Sequence, residues 1–295
     1  MKKLLFLLLA LAISISSCAS GETNRLPINL DPLTPPPEEC FISDNEYKDE
    51  TLHVLIEQRQ YLDSLAYVAW VRIADPSQLR TGLSSTKENI LCSTPRMRTT
   101  TEMAKRAGGA VIAINGDWFA SEDRSYGYIV RMGEVLREKD TAVRDSLLID
   151  DQGNFHLLVS PEKEDREAVT AQYNIVNALS FGPAMIIDGK PVDIREDYPF
   201  ESQWDSPRTA IGQIGELSYV MIVVDGRLKH SPGLTLWELR DFMLELGCQQ
   251  AFALDGGGTS TMSFHFRTVN RPAYGEERHL SDIVYFASGL SETVQ

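Results

Sequence analysis

Ala253-Leu254-Asp255-Gly256-Gly257-Gly258-Thr259-Ser260-Thr261 decides how this chain reads. The apolar run Ala251 to Leu254 ends in one carboxylate, and three glycines and a hydroxyl cluster follow at once. Adjacent glycines weaken a strand or a helix, because each loses the most backbone entropy on ordering. The usual reason to accept them is close approach of the backbone to something else. Beside an acid, that reads as the floor of a polar, anion-handling ligand site. The plainer alternative is an Asp-Gly turn.

Working outward, the same pattern recurs. Ala110 to Ile114 reads as a buried strand that delivers Asn115-Gly116-Asp117-Trp118-Phe119. Arg208-Thr209-Ala210-Ile211-Gly212 opens another element. Thr209 to Gln213 and Tyr219 to Val224 form a hairpin around Gly215, with Asp225-Gly226 as a further turn. Strands are also expected at Leu65 to Ile73, Tyr128 to Val130, Ser146 to Ile149, Phe155 to Val159, Ala184 to Ile187, Thr261 to Phe266 and Ile283 to Ala287. One helix spans Thr99 to Ala107, opened by threonines and stopped by Gly108-Gly109. A second starts at Thr235 and ends near Gly247, with Leu236, Trp237, Leu239, Phe242, Met243, Leu244 and Leu246 giving it a buried face. Strands dominate and helices are few, so the fold class is α+β: one domain with a mixed, strand-rich sheet and a few packed helices.

The polar clusters gain meaning together. They offer an amide (Asn115), acids (Asp117, Asp255), a guanidinium fork (Arg208) and a glycine nest (Gly256 to Gly258), with the hydroxyls of Thr209, Thr259 and Ser260 beside them. These are the ingredients of an anion-handling active site. Glu238 has two readings. It lies three residues after Thr235, the spacing of a capping box, or it faces the site as a second carboxylate. Trp118 and Phe119 either stack on a ligand or belong to the core.

The chain has 295 residues and a formal net charge of −14, which disfavours nucleic-acid binding because a basic face is the footprint of that function. At the N-terminus, Lys2-Lys3 and the apolar run Leu4 to Ile13 make a targeting segment too short to span a bilayer. It ends at Ile15-Ser16-Ser17-Cys18, which resembles a bacterial lipobox. The implied outcome is cleavage before Cys18 and a lipid anchor on it, hence membrane attachment in the cell envelope. Residues 1–18 are therefore read as leader, 19–45 as a proline-containing tether, and 46–295 as the catalytic domain. Of the remaining cysteines, Cys40 and Cys92 are the expected pair, while Cys248 sits in a helical, buried stretch. Neither the cysteines nor the five histidines have metal-ligand spacing, so no metal site and no cofactor are expected.

The order Ala113-Ile114-Asn115-Gly116, Arg208-Thr209-Ala210-Ile211-Gly212, Val224-Asp225-Gly226, Leu236-Trp237-Glu238 and Leu254-Asp255-Gly256-Gly257-Gly258-Thr259-Ser260 resembles the phosphodiester glycosidase family, over roughly residues 60 to 289. The resemblance implies hydrolysis of a sugar-1-phosphodiester, with a phosphorylated glycan as substrate. Asp255 would be nucleophile or general base, and Arg208 would hold the phosphate. Asn115 would contact sugar or phosphate, with Gly116, Asp117, Thr209, Thr259 and Ser260 around the ligand. Backbone N–H groups of Gly256 to Gly258 would reach anionic oxygens. Arg278 matches a position where the family often has arginine; it would be a second clamp, or a surface partner of Glu276 or Glu277. The family usually has Asn-Gly-Gly-Phe-Phe where Asn115-Gly116-Asp117-Trp118-Phe119 stands, so Asp117 is an extra carboxylate. Two other readings stand beside this one. The first is a lipoprotein that binds phosphorylated glycans without cleaving them. The second is a hydrolase using Ser260, which lacks a recognisable histidine base.

Overall fold

Apolar residues alternate along the long strands and put two different faces to work. In the β-ribbon of residues 208–224, Ile211, Tyr219, Met221 and Val223 face one core, and Ala210, Val220, Ile222 and Val224 face another. That is the period of a strand buried on both sides. The structure is a computed structural model and describes residues 35–92, 95–117, 127–139, 144–199 and 202–289.

Numbered along the chain, the named strands form three sheets. The largest has nine strands in the order β1 (Phe41–Ser43), β2 (Glu46–Lys48), β3 (Leu52–Tyr61), β4 (Ser64–Ile73), β15 (Ser218–Val224), β14 (Arg208–Gly215), β16 (Gln250–Ala253), β12 (Ala184–Ile187) and β13 (Lys190–Pro191). A five-stranded sheet runs β18 (Arg267–Thr268), β17 (Met262–Phe264), β6 (Ala110–Asn115), β19 (Asp282–Ala287) and β5 (Leu79–Leu83). The other runs β10 (Phe155–Leu158), β9 (Ser146–Asp150), β11 (Ile175–Leu179), β7 (Gly127–Arg131) and β8 (Glu134–Lys139). The α+β class holds. Pairing in these ladders is antiparallel throughout rather than mixed.

The central core lies between the inner face of the nine-stranded sheet (Val54, Tyr67, Tyr219, Phe252) and residues of the two smaller sheets (Ile112, Phe286, Leu147, Ile149). On the outer face, Leu239, Phe242 and Met243 of α4 (Leu236–Glu245) cover Val68, Met185 and Ile222. Helix α2 (Thr100–Arg106) packs Met103 and Ala104 on Ala113, Ile283 and Tyr285. Both helices start in full capping boxes, Thr99 with Glu102 and Thr235 with Glu238, as their sequences imply. Two further segments, α1 (Lys87–Ile90) and α3 (Lys163–Gln172), complete the described α-helices.

Several expectations change. Strand β1 lies within the segment read as tether, so the sheet begins before residue 46. Cys40 and Cys92 are free thiols: Cys92 donates to the Asn89 carbonyl (3.0 Å) at the end of α1, away from the strand corner that holds Cys40. Thr261 to Phe266 is not one strand, because β17 ends at Phe264 and His265 and Phe266 turn with positive φ into β18. Asp225-Gly226 is not a hairpin turn. The β14–β15 connection is at residues 215–218, and Asp225 is a buried residue following β15. Cys18 and the rest of the leader, with Trp118 and Phe119, lie outside the described residues.

Phe252 has no exposed surface and sits at the centre of the inner core. Phe252→Ala is expected to lower the unfolding free energy by about 3–5 kcal/mol, the usual cost of an aromatic truncation in a packed core, read as a shifted urea midpoint at constant slope.

Candidate active site

Three neighbouring strands bring charge to one end of the large sheet. Strand β14 lies between β15 and β16 and runs antiparallel to both. Its first residue, Arg208, therefore meets the ends of its neighbours. Arg208 pairs with Val224, immediately before Asp225, and the Thr209 carbonyl accepts from Leu254 N (2.9 Å), immediately before Asp255. Asp225, Arg208 and Asp255 are all buried there, at 1, 6 and 5% exposure.

Asn115 ties the facing sheet to this end. At the end of β6, its Nδ2 donates to the Asp255 carbonyl (2.5 Å). Its Oδ1 accepts from Thr209 Oγ1 (2.8 Å) and Thr261 N (3.1 Å). Asn115 and Thr209 thus act on the protein itself: they position β14, Asp255 and the start of β17. That differs from the ligand contacts expected for both.

The glycine loop also works differently from a nest. Gly256 N donates to Asp255 Oδ1 (2.9 Å), and Gly257 N to the Pro207 carbonyl (2.8 Å). Thr259 and Ser260 N bond back to Gly256 and Gly257 (3.4 and 3.3 Å) in a short 3₁₀ turn, and Thr259 Oγ1 donates to Gly256 O (2.7 Å). Glycine is required here by shape. Gly257 has φ +65°, and a Cβ on Gly256 would lie 2.9 Å from the Pro207 carbonyl. A Cβ on Gly258 would lie 2.9 Å from the Tyr274 ring.

Cations line this loop. The Arg208 guanidinium donates to the carbonyls of Leu234 (Nε, 2.8 Å) and Trp204 (Nη2, 2.8 Å), which fix its plane. Arg227 lies over Gly257, bonds the Tyr274 hydroxyl (Nη1, 2.7 Å) and sits 5.8 Å from its ring. Arg278 is exposed, and its Cδ lies beside Gly258.

Beneath the loop, Asn270 joins Asp225 to Ser260. Its Nδ2 donates to Asp225 Oδ1 (3.3 Å) and the Ser260 carbonyl (3.1 Å), and Arg271 N also donates to Asp225 Oδ1 (2.9 Å). Asp225 Oδ2, Ser260 Oγ and Thr261 Oγ1 are buried and have no hydrogen-bond partner among the described residues. Burial pushes the Asp225 carboxyl above the ordinary carboxylate range, against the pull of its donors. Sequence reading missed Asp225, Arg227, Asn270 and Tyr274. The available signal was that Tyr219 to Val224 hands over to an acid as Ala251 to Leu254 does.

Glu238 is committed to its cap: Oε2 accepts from Thr235 N (2.8 Å) and Thr235 Oγ1 (2.9 Å). This corrects its placement among the catalytic groups. Asp117 faces a buried ion cluster. Arg131 Nη2 reaches Asp117 Oδ2 (3.3 Å) and Asp282 Oδ2 (2.6 Å), and Asp117 Oδ2 also accepts from Ser180 N (2.7 Å). Gly116 bridges the cluster to the site: its N–H donates to Asp282 O (2.9 Å), and its carbonyl accepts from Asp255 N (3.2 Å). A Cβ on Gly116 would fall 2.6 Å from the Asp282 carboxylate.

Residues 108–287 match the family described as phosphodiester glycosidase. The chain belongs to the phosphodiester glycosidase family. Among relatives, it is 29% identical over 192 residues to the SPbeta prophage-derived protein YomE of Bacillus subtilis, covering 64% of this chain and 29% of that one. It is 26% identical over 196 residues to the Bos taurus N-acetylglucosamine-1-phosphodiester alpha-N-acetylglucosaminidase, covering 62% and 36%. The aligned part thus spans about a third of these curated relatives. The fold is similar to the catalytic domain of the zebrafish N-acetylglucosamine-1-phosphodiester alpha-N-acetylglucosaminidase, described as auto-inhibited by its pro-peptide (TM-score 0.64, 18% identity, 82% of this chain and 85% of that one). It is also similar to a hypothetical protein from Synechocystis (TM-score 0.61, 14% identity, 81% and 62%). In this member of the family, every named motif except Leu236-Trp237-Glu238 converges on the end of β15–β14–β16.

The ion cluster makes a pH prediction. Burial, with Asp117 adding and Arg131 opposing, raises the Asp282 carboxyl to about 7, so two acids share one guanidinium and retain a proton near neutrality. A carboxyl raised on folding stabilises fully below its unfolded value and loses that contribution as pH rises toward its folded one. Relative to Asp282→Asn, the wild type should therefore lose stability between about pH 4 and pH 7 and level off above. Urea unfolding of both proteins across this range checks it; a pH-independent difference contradicts it.

Proposed function

We propose that this protein hydrolyses a sugar-1-phosphodiester, releasing the sugar and leaving a phosphomonoester on the other alcohol. The observation that carries the reading is the convergence of Asp255, Arg208 and Asp225 at one end of three neighbouring strands, in a loop lined by Arg227 and Arg278. The names of the bovine and zebrafish relatives specify this bond class, with N-acetylglucosamine as the sugar.

The chemistry follows from the groups present. A phosphodiester carries one negative charge, which the field of a chain at −14 opposes. Arg208, Arg227 and Arg278 reverse that field locally and hold the phosphate oxygens. Asp255 attacks the anomeric carbon or takes the proton of the attacking water. The C1–O bond breaks toward phosphate, whose charge the arginines already balance, so the leaving group needs little help from an acid. Asp225, whose carboxyl burial pushes above the ordinary carboxylate range, supplies a second acid at the same sheet end, with Ser260 and Thr261 hydroxyls for the substrate's oxygens. The same proposal places the enzyme on the cell envelope through a lipid on Cys18, supported by the leader and Ile15-Ser16-Ser17-Cys18.

With a methyl ester of α-N-acetylglucosamine-1-phosphate, the wild type is expected to yield free sugar and methyl phosphate. In ¹⁸O-water the label should enter the sugar. Asp255→Asn should reduce kcat by about 10²–10⁴-fold or more while calorimetry still detects substrate binding. Equal turnover in the variant would remove Asp255 from the chemistry, and binding without turnover in the wild type would mark a glycan-binding protein.

A further inference from the structure

Residues 272–275 close as a four-residue turn, with Gly275 N donating to the Pro272 carbonyl (2.9 Å) and Gly275 at φ +82°. The base of the turn is fixed to the active-site end of the large sheet. Asn270 Nδ2 and Arg271 N both donate to Asp225 Oδ1 (3.3 and 2.9 Å). Near the tip stands Tyr274. Its hydroxyl accepts from Arg227 Nη1 (2.7 Å), and the Cδ2–Cε2 side of its ring closes on Gly258, where a Cβ would lie 2.9 Å from Cε2. The side chain is therefore held by its turn, its hydroxyl and one side of its ring, yet Tyr274 is 68% exposed.

A ring fixed in this way gives up rotamer freedom without the gain of burial. What it presents is a flat apolar surface at the edge of the glycine loop. The charges around it select what meets that surface. The face of an aromatic ring is the negative pole of its quadrupole, which disfavours an anion there. A cation is opposed by Arg227 at the hydroxyl and by Arg278, whose Cδ is 3.6 Å from the same Gly258 Cβ position. A neutral group with a flat C–H face fits.

Proximity narrows the choice. The Tyr274 hydroxyl is one hydrogen bond from Arg227, and Arg227 lies over Gly257, next to the glycine that the ring covers. A group meeting this ring while the arginines hold a phosphate is thus the phosphate's immediate neighbour. In a sugar-1-phosphodiester that neighbour is the pyranose itself, bonded to the phosphate through C1. A nucleobase would stand a whole ribose further away.

We propose that Tyr274 is the platform on which the pyranose bearing the scissile C1–O bond stacks, which makes it a specificity-determining residue for the sugar. The inference rests on the phosphodiester reading above. It separates two recognitions: the arginines hold the phosphate, and the Tyr274 ring holds the glycosyl group.

The test is calorimetric titration with α-N-acetylglucosamine-1-phosphate and with inorganic phosphate. The wild type is expected to bind the sugar phosphate more tightly than inorganic phosphate. Tyr274→Phe keeps the ring and should keep this preference. Tyr274→Ala should bind the sugar phosphate about three- to tenfold more weakly than Tyr274→Phe, the usual effect of one lost aromatic contact. Both variants lack the hydroxyl on Arg227, so their affinities for inorganic phosphate should be equal. A sugar preference that survives Tyr274→Ala overturns the platform, as does a wild type that binds the two ligands equally. Loss of the preference in Tyr274→Phe as well would reduce Tyr274 to a tether for Arg227 and overturn it too. Turnover of the methyl ester by the same proteins keeps the two readings apart. A ring-dependent sugar preference without hydrolysis sinks the hydrolytic reading and supports the platform; hydrolysis with the same KM in Tyr274→Ala and Tyr274→Phe does the reverse.

Discussion

The architecture of the active-site end depends on one side chain. Asn115 spends both lone pairs of its carbonyl and one amide hydrogen on Thr209, Thr261 and Asp255. Those partners belong to the large sheet, the start of β17 and the strand end that carries the candidate catalytic acid. A side chain so short forces all of these backbones within a few ångströms of one another. Because Asn115 has no exposed surface, replacing it with an apolar residue would strand buried partners at the cost of desolvation. Gly116 extends the constraint, handing Asp255 N to its own carbonyl and its own N–H to Asp282.

Charge is divided between two compartments on either side of that connection. On one side, Arg208, Arg227 and Arg278 line the glycine loop of a strongly acidic chain. On the other, Arg131 is shared by two fully buried acids. The buried cluster is an expensive arrangement, since desolvation opposes every charge in it. Its member Asp117 lies two residues after Asn115 in the chain, so its geometry and that of Asp255 are set by the same strand end. Arg131 Nη1 also binds the carbonyls of Val130 and Ala178, which anchors the cluster to the β7–β11 ladder and hence to the third sheet.

The strands that deliver the site were legible because burial writes itself as apolar runs: Ala110 to Ile114, Tyr219 to Val224 and Ala251 to Leu254 stand where expected. The capping boxes were equally legible, because Thr-x-x-Glu spacing states a local hydrogen bond. Three-dimensional convergence was not. Asp225-Gly226 has the sequence of a turn, and only the pairing of β15 with β14 places Asp225 beside Arg208. Arg227 and Tyr274 are 47 residues apart and meet through a positive-φ turn that no local pattern announces. Pairing Cys40 with Cys92 failed for the same reason: cysteine number constrains parity, not proximity.

The glycines carry the most instructive difference. As a nest, Gly256 to Gly258 would leave donors open for an anion. Instead Gly256 and Gly257 spend their N–H groups on Asp255 and Pro207, and their missing side chains admit the Pro207 carbonyl, Arg227 and Tyr274. The positive charge at the loop therefore comes from arginine side chains brought close, while the backbone's role is to be thin. A carboxylate whose Oδ1 already accepts from the following N–H, on a chain fixed by Asn115, is held in one orientation before any ligand arrives. Preorganisation of this kind is what lets fixed groups act on a bound ligand without reorganising. The triple glycine is thus a packing requirement of the candidate site, and its sequence signature is strong because no side chain fits at any of the three positions without displacing a neighbour or straining the turn.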